Sequence, residues 1–328
     1  MWLRQSSDAD MVRHVWFTPT RRELVFHHAD SRIVGDLHLP PTASAQTPVP
    51  AVVGVHGSGP AAGEYARNWE DIGARLAAVG IAYFGYDKPG CGASTGDYTS
   101  LTLHDRAQET LAATAAVAAE PETDANRIAL LGGSQGGWVA PLAAVACDTV
   151  TAIVSISGPG VTVAECEEYQ VQAEGAHDGY TPDEIAQALD LYRRTLARLR
   201  AGDDPADVLA AEVHLLGTRV AALAEVTNVK DLEFFARIAD YDPVPALERL
   251  RCPILAIFGA DDVHVPTTPS VAAYQAAFAR SGHTGHHIVV FPGADHRILV
   301  PDPATGGHRR APGLFELITT WLARTLDS

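Results

Sequence analysis

The chain has 328 residues, of which 47% are hydrophobic and 20% charged, a balance typical of a globular protein and not of a disordered one. Its 24 lysines and arginines against 40 aspartates and glutamates give a formal net charge of -16. Such a surface repels nucleic acid and anionic membranes, because phosphate binding needs clustered cations, so neither is expected as a partner. The length suits one α/β core of about 250 residues with one insertion.

Cysteine spacing and hydropathy indicate the expected cellular location of the protein. The four cysteines are far apart in the sequence, with no C-x-x-C pair and no grouping typical of a zinc site, so we expect free thiols in a reducing compartment and no metal. The first 17 residues lack the apolar run of a signal peptide. Nowhere do about 18 apolar residues follow one another, so no transmembrane helix is predicted and the expected location is the cytoplasm.

The first half of the sequence alternates between predicted strands and helices. Residues 1–20 show no clear period and are interpreted as an N-terminal arm. Residues 22–39 predict two strands around a turn at 29–31, the second with clear alternation of apolar side chains. The elements predicted after them are buried strands at 51–57, 81–87, 126–134 and 151–157, and helices at 66–79, 102–120 and 135–146.

The alternation stops between residues 160 and 245, where charged, Ala- and Leu-rich helical segments occur and no buried strand is apparent. Strands at 253–259 and 286–293, and helices at 269–280 and 312–326, then resume it. Because parallel strands need crossover connections, a doubly wound, mostly parallel α/β sheet with an inserted helical cap accounts for this order. The predicted organisation is an arm (1–20), a core (21–159 and 246–328) and a helical cap (160–245).

The strongest motif is Gly132-Gly133-Ser134-Gln135-Gly136, which has the form G-x-S-x-G and lies between a predicted strand and a predicted helix. A strained turn of this kind requires that neighbouring side chains be absent, and Gly132 and Gly136 provide that clearance. The turn would project the Ser134 hydroxyl above the sheet. It would also place the Gln135 amide at the positive end of a helix, which suits a developing oxyanion. The alternative, an incidental serine in a glycine-rich turn, is disfavoured by this context.

Four segments then occur in a characteristic order: VVGVHGSGP at 52–60, YDKPGCGASTGDY at 86–98, GGSQGG at 132–137 and FGADDVHVP at 258–266. With these segments the chain resembles the α/β-hydrolases, and more narrowly their bacterial serine esterase and acyl-peptidase-like branch. The resemblance implies the α/β-hydrolase fold and a serine nucleophile. As a set, the segments identify the fold with high specificity and the type of reaction with less. They say little about which substrate is cleaved.

The resemblance also implies the partners of Ser134. The spacing G-x-x-D-x-x-V-P selects Asp262, and not the adjacent Asp261, as the acid that orients the base. His296 follows the last predicted strand and is assigned as the general base. The order Ser134, Asp262, His296 is the one expected for this fold. Asp295 stands where the family usually has a small residue, which adds a carboxylate that could compete for the base.

The segment that begins at His56, with the sequence HGSG, provides the second oxyanion amide in similar hydrolases, and the resemblance assigns it to Ser58. Together with Gln135 it would complete an oxyanion hole, although a plain glycine-rich turn is the alternative. His56 itself is interpreted as a structural hydrogen-bonding residue. His264, near the predicted acid, is interpreted as a loop or pocket-rim residue.

The sequence therefore predicts a serine hydrolase that cleaves a carboxylic ester or thioester of a small substrate through an acyl-enzyme on Ser134, without a cofactor. Hydrolysis of a C–C bond, a lactone or an amide by the same residues is an alternative. A catalytically silent protein that binds a small ligand is the non-enzymatic alternative. An ester is favoured over a peptide, by family analogy, because the chain lacks room for the propeller domain of many related peptidases. The expected partner is a small acyl substrate, and residues 1–20 could mediate a homodimer.

Overall fold

A computed structural model of the chain describes residues 19–327. The predicted arm therefore lies, except for its last two residues, outside the described range. Within that range the strands are β1 (Thr20–His28), β2 (Ser31–Leu39), β3 (Val49–Val55), β4 (Ala82–Tyr86), β5 (Thr123–Gly133), β6 (Val150–Ile156), β7 (Ile254–Gly259), β8 (His286–Phe291), β9 (Leu299–Asp302) and β10 (Gly307–Arg310). The α-helices are α1 (Gly63–Arg67), α2 (Ile72–Ala77), α3 (Leu103–Ala118), α4 (Gly136–Ala146), α5 (Val163–His177), α6 (Pro182–Arg200), α7 (Pro205–Ala211), α8 (Arg219–Leu223), α9 (Val229–Ile238), α10 (Val244–Arg249), α11 (Thr267–Ser281) and α12 (Leu314–Leu326).

Strands β1 to β8 form one sheet in the order β1-β2-β4-β3-β5-β6-β7-β8. The β1–β2 hairpin and the β2–β4 pair are antiparallel, and every pair from β4 to β8 is parallel. The carboxyl ends of the parallel strands therefore meet at one edge of the sheet, which is where open α/β sheets carry their ligand sites. The predicted fold class, a mostly parallel sheet flanked by helices, is confirmed.

The central strands are buried on both faces, because their side chains alternate between two helix layers. In β3, Val53 belongs to the apolar cluster that includes α3, α4, α10 and α11, whereas Val52 belongs to the cluster of α2 and α12. Both valines are fully buried. This double burial explains why β3 and its neighbours have short, continuous apolar sequences.

Two local predictions differ from the structure. The helix expected at 66–79 is interrupted: α1 and α2 are separated by a 3₁₀ turn in which Glu70 and Asp71 have positive φ angles of 50° and 60°. The Asn68 side chain accepts from the Gly73 amide across this break and stabilises it. The β9–β10 hairpin, which follows β8, was not predicted because its strands have only four residues each and no apolar alternation.

Helices α5 to α9 form an insertion that follows β6 and precedes α10 and β7, and no strand lies among them in the described chain. They pack around an apolar cluster of their own, which includes Leu191, Tyr192, Val208 and Leu232. The Thr181–Glu184 and Thr162–Glu165 capping boxes begin its two longest helices. No helix between residues 19 and 327 has both the length and the hydropathy needed to cross a membrane.

Candidate active site

Ser134 lies in the sharp turn between β5 and α4, with a positive φ of 53°. Positive φ strains a residue other than glycine, and such strain is concentrated at functional sites. Side chains at Gly132 or Gly136 would collide with backbone carbonyls, the first with that of Gly136 and the second with that of Val55. The Ser134 amide donates to the Ile156 carbonyl at 2.9 Å and ties the turn to β6. The glycines therefore permit the sharp turn, in which Ser134 is half-buried.

Asp262 and His296 form a hydrogen-bonded pair at the same edge of the sheet. The Nδ1 atom of His296 lies 2.8 Å from Oδ2 of Asp262, whose side chain is buried. The other carboxylate oxygen accepts from the amides of His264 and Val265, at 2.8 Å each. Since a carboxylate only accepts, Nδ1 carries the proton and Nε2 of the neutral ring is left with a free lone pair.

The two competing carboxylates do not contact His296 in this way. Asp261 is exposed. Asp295 instead closes its own turn, because its Oδ1 accepts from the amides of Arg297 and Leu299 at 2.9 and 2.8 Å. The geometry therefore agrees with Asp262 as the partner of the histidine.

The loop that contains Ser58 lies beside the nucleophile turn. A Cβ atom added to Gly57 would stand 3.3 Å from Cβ and 3.9 Å from Oγ of Ser134. Ser58, Ser134, Gln135 and His296 all line one cavity. The structure thus brings four of the five predicted site residues to a single cavity, and the fifth, Asp262, hydrogen-bonds to His296.

The sequence model of the alpha/beta hydrolase family matches residues 52–305, which is more than half of the chain. The chain belongs to the alpha/beta hydrolase family. No curated protein sequence matches it. The predicted superfamily is therefore confirmed.

Solved structures of this fold are similar to the chain at low sequence identity. DcsB, solved in complex with its substrate analogue, is 16% identical with a TM-score of 0.60, covering 94% of this chain and 100% of that one. The acylaminoacyl peptidase of Pyrococcus horikoshii is 16% identical with a TM-score of 0.59, covering 94% and 42%. The dienelactone hydrolase of Anabaena variabilis is 16% identical with a TM-score of 0.52, covering 95% and 98%. At this identity the likeness shows the fold.

In this α/β-hydrolase, Lys88 holds the loop around Ser58, a role that the sequence did not indicate. Its fully buried Nζ donates to the carbonyl oxygens of Gly57 and Gly59, at 2.7 Å each, and lies 4.5 Å from the centre of the Tyr98 ring. Burial is the main reason that the pKa of Lys88 falls well below its ordinary value. The side chain thus holds the carbonyl groups of the two residues on either side of Ser58.

Two further contacts that the sequence did not predict hold the pair of His296 and Asp262. Ser157, at the end of β6 with a positive φ of 50°, donates from Oγ to the His296 carbonyl at 2.8 Å. Tyr169, on α5 of the insertion, donates from its hydroxyl to the Asp262 carbonyl at 2.7 Å. Both contacts join segments far apart in sequence, so no local pattern could have revealed them.

The surroundings of His56 agree with a structural role for this residue. Its Nε2 lies 2.5 Å from the Tyr86 carbonyl oxygen. Burial, together with the positive charges of Arg106 and Lys88, lowers the pKa of His56 to about 3. The ring is therefore neutral throughout the physiological range and hydrogen-bonds to the backbone.

The cavity has a volume of about 550 Å³ and lies between the carboxyl edge of the sheet and the insertion. Its size falls in the range of small-molecule sites. His264 lines it, with its ring centre 5.0 Å from that of His296. Among residues 19–327, no group of three or more His, Cys, Asp or Glu side chains is arranged to hold a metal ion. The four cysteines are free thiols.

Proposed function

We propose that the protein is a serine hydrolase that cleaves a carboxylic ester or thioester of a small substrate through an acyl-enzyme on Ser134. One observation carries the proposal: His296, oriented by its 2.8 Å hydrogen bond to Asp262, lines the same cavity as the serine of the strained turn. A nucleophile, a base and a carboxylate that orients the base are the arrangement that acyl transfer requires.

The proposed reaction begins when Nε2 of His296 takes the proton of the Ser134 hydroxyl and Oγ attacks the acyl carbon. The amides of Gln135 and Ser58, two residues that line the same cavity, would stabilise the negative charge on the carbonyl oxygen. His296 then gives its proton to the leaving alcohol or thiol. A water molecule, deprotonated by His296, attacks the acyl-enzyme and releases the acid. The Asp262 carboxylate stays ionised and stabilises the imidazolium.

The role of Asp262 can be tested against its neighbour in sequence. Asp262→Asn should lower kcat for 4-nitrophenyl butyrate about 10⁴-fold, since an amide would favour the wrong histidine tautomer. Asp261→Asn is the matched control and should retain full activity, because Asp261 is exposed. Circular dichroism spectra should show that both variants are folded. Full activity of folded Asp262→Asn would contradict the proposed mechanism.

A further inference from the structure

We propose that the substrate carries a cationic group, such as a protonated or quaternary amine, which binds to carboxylates and aromatic rings of the insertion while its acyl group lies at Ser134. The inference rests on the proposed function, because it takes the cavity beside Ser134 as the substrate site. It concerns the opposite wall of that cavity, which the proposed reaction does not use.

Three carboxylates from the insertion line this cavity: Glu167 on α5, Glu225 after α8 and Asp231 on α9. Gln170 donates to Glu225 at 3.1 Å and helps to hold it, in a backbone conformation with a positive φ of 55°. Among the described residues that line the cavity, none is lysine or arginine. The wall is therefore acidic and has no permanent cation of its own.

Several other acidic residues of the insertion have arginine partners. Glu168, next to Glu167, pairs with Arg193, and Glu212 pairs with Arg194. Within the described chain, Glu167 forms no ion pair with any lysine or arginine. Glu167 thus faces the cavity without a cationic partner, and a ligand could supply the missing positive charge there.

Mutual repulsion among these carboxylates supports this interpretation. Burial, followed by the charges of Glu225 and Glu174, raises the pKa of Glu167 to about 8. Burial, followed by Glu174 and Asp231, also raises the pKa of Glu225. Burial and the neighbouring carboxylates both disfavour the ionised forms of these side chains, so a bound cation would be favourable and would release protons.

Aromatic rings line the same part of the cavity. Phe234 packs edge-on against Tyr98 with ring centres 6.5 Å apart, and Phe235 contacts Tyr192 at 5.8 Å. Aromatic faces attract cations through their quadrupole, and combined aromatic and acidic linings are well suited to ammonium groups. A neutral aliphatic group could use the rings but would gain nothing from the carboxylates.

Two buried polar side chains that line the cavity point independently to a ligand. The Thr195 hydroxyl, on a side chain only 2% exposed, has no hydrogen-bond partner in the described structure. Oε1 of Gln135, on a side chain 4% exposed, likewise has none. Unpartnered buried polar groups are costly, and a polar substrate could satisfy them.

The acidic wall begins close to the base. His264 lies between His296 and a neighbour of that wall: its ring lies 5.0 Å from that of His296, and its Nδ1 lies 3.8 Å from Oε2 of Glu174, whose charge acts on Glu167 and Glu225. One small molecule could therefore place a carbonyl at Ser134 and an ammonium group at the carboxylates.

A pair of esters of equal shape tests the inference. The probes are 4-nitrophenyl 4-(trimethylammonio)butanoate and its uncharged analogue 4-nitrophenyl 5,5-dimethylhexanoate. We expect kcat/KM, corrected for the uncatalysed rates, to be at least about tenfold higher for the cationic ester. The double variant Glu167→Gln/Glu225→Gln should lose most of this preference. Glu168→Gln, one position away and outside the cavity lining, is the matched control and should keep it.

Binding without catalysis separates this inference from the proposed function. Calorimetric titration of Ser134→Ala should show choline binding at least about tenfold more tightly than uncharged 3,3-dimethylbutanol. If choline is preferred but no ester is cleaved, the proposed function fails and the cation site stands. If esters are cleaved through Ser134 without preference for charge and choline is not preferred, the cation site is overturned and the hydrolase stands. A preference that persists in the double variant also overturns the assignment to these carboxylates.

Discussion

Lys88 contacts the loop that carries Ser58, whose amide is part of the proposed oxyanion hole. In a trans peptide the C=O and the following N–H point in opposite directions. Because Nζ of Lys88 holds the Gly57 carbonyl, the Ser58 amide is directed to the other side of that peptide. The second hydrogen bond, to the Gly59 carbonyl, prevents the loop from rotating. We therefore infer that Lys88 positions the Ser58 amide.

We expect Lys88→Met to lower kcat for 4-nitrophenyl butyrate about 10- to 100-fold with a much smaller change in KM, since the amide acts mainly on the transition state. Steady-state kinetics would measure this split. Lys230→Met is the matched control, because Lys230 is exposed and pairs with Asp97. A KM effect alone, or equal losses in both variants, would contradict a positioning role for Lys88.

At the same scale, the sequence predicted the residues that belong to motifs and missed those that act through tertiary contacts. The motif positions of Ser134 and Asp262 follow the ends of parallel strands, so their location at the same edge of the sheet follows from the topology. Lys88 is a motif residue too, but its interaction with two carbonyls depends on how a separate loop folds over it. Tyr169 of the insertion contacts Asp262 of the core. Neither local sequence has a pattern that would predict this contact.

At the scale of elements, the turn between β5 and α4 is the feature on which the site depends. The second half of β5 is buried, α4 begins at Gly136, two residues after the serine, and the turn has room for no side chain at Gly132. The turn is compact because the backbone at Gly132 lies directly against the backbone at Gly136, and Gly136 lies against that of Val55. The strand–helix pattern and the glycines were therefore sufficient to predict it.

Gly132→Ala should destabilise the protein by roughly 1–3 kcal/mol, because the added methyl group collides with the Gly136 carbonyl and the turn must shift. Urea unfolding followed by circular dichroism would measure the change. Gly133→Ala is the matched control, since the nearest atom to its added Cβ is 3.9 Å away. Equal stability of the Gly132→Ala variant and the wild type would show that the turn is less tightly packed than described.

The elements that sequence patterns did not predict lack strong periodicity. The break between α1 and α2 depends on left-handed residues, Glu70 and Asp71, which are not glycine and give no turn signal. In contrast, the Thr102 capping box with Asp105 marks the start of α3 at the predicted position.

At the scale of the whole molecule, the insertion and the sheet enclose a cavity whose two walls have different chemistry. The core wall presents Ser134 and His296, whereas the insertion wall presents aromatic rings and carboxylates. The net charge of -16 did not predict this distribution, because most acidic residues are on the surface. The acidic character of the cavity arises only when α5, α9 and the segment after α8 meet.

The raised pKa of Glu167 makes stability depend on pH. Its ordinary pKa is 4.5 and its pKa in the fold is about 8, so between these values the folded state binds more protons than the unfolded state. The free energy of unfolding should therefore fall as pH rises through this window. Glu167→Gln cannot ionise and should show a smaller decline between pH 5.5 and 8.5 in urea unfolding. Glu168→Gln should decline as the wild type does, and an identical decline for Glu167→Gln would contradict the pKa shift.

The central claim is that Ser134 is an activated nucleophile, and covalent labelling tests it most directly. The purified protein would be treated with a fluorophosphonate and the modified peptide mapped by mass spectrometry, with Ser134→Ala as control. The account predicts one phosphonate adduct on Ser134, absent from the variant, because His296 and the oxyanion amides promote attack on the phosphorus. Absence of labelling in the folded wild-type protein, or labelling that persists in Ser134→Ala, would contradict it.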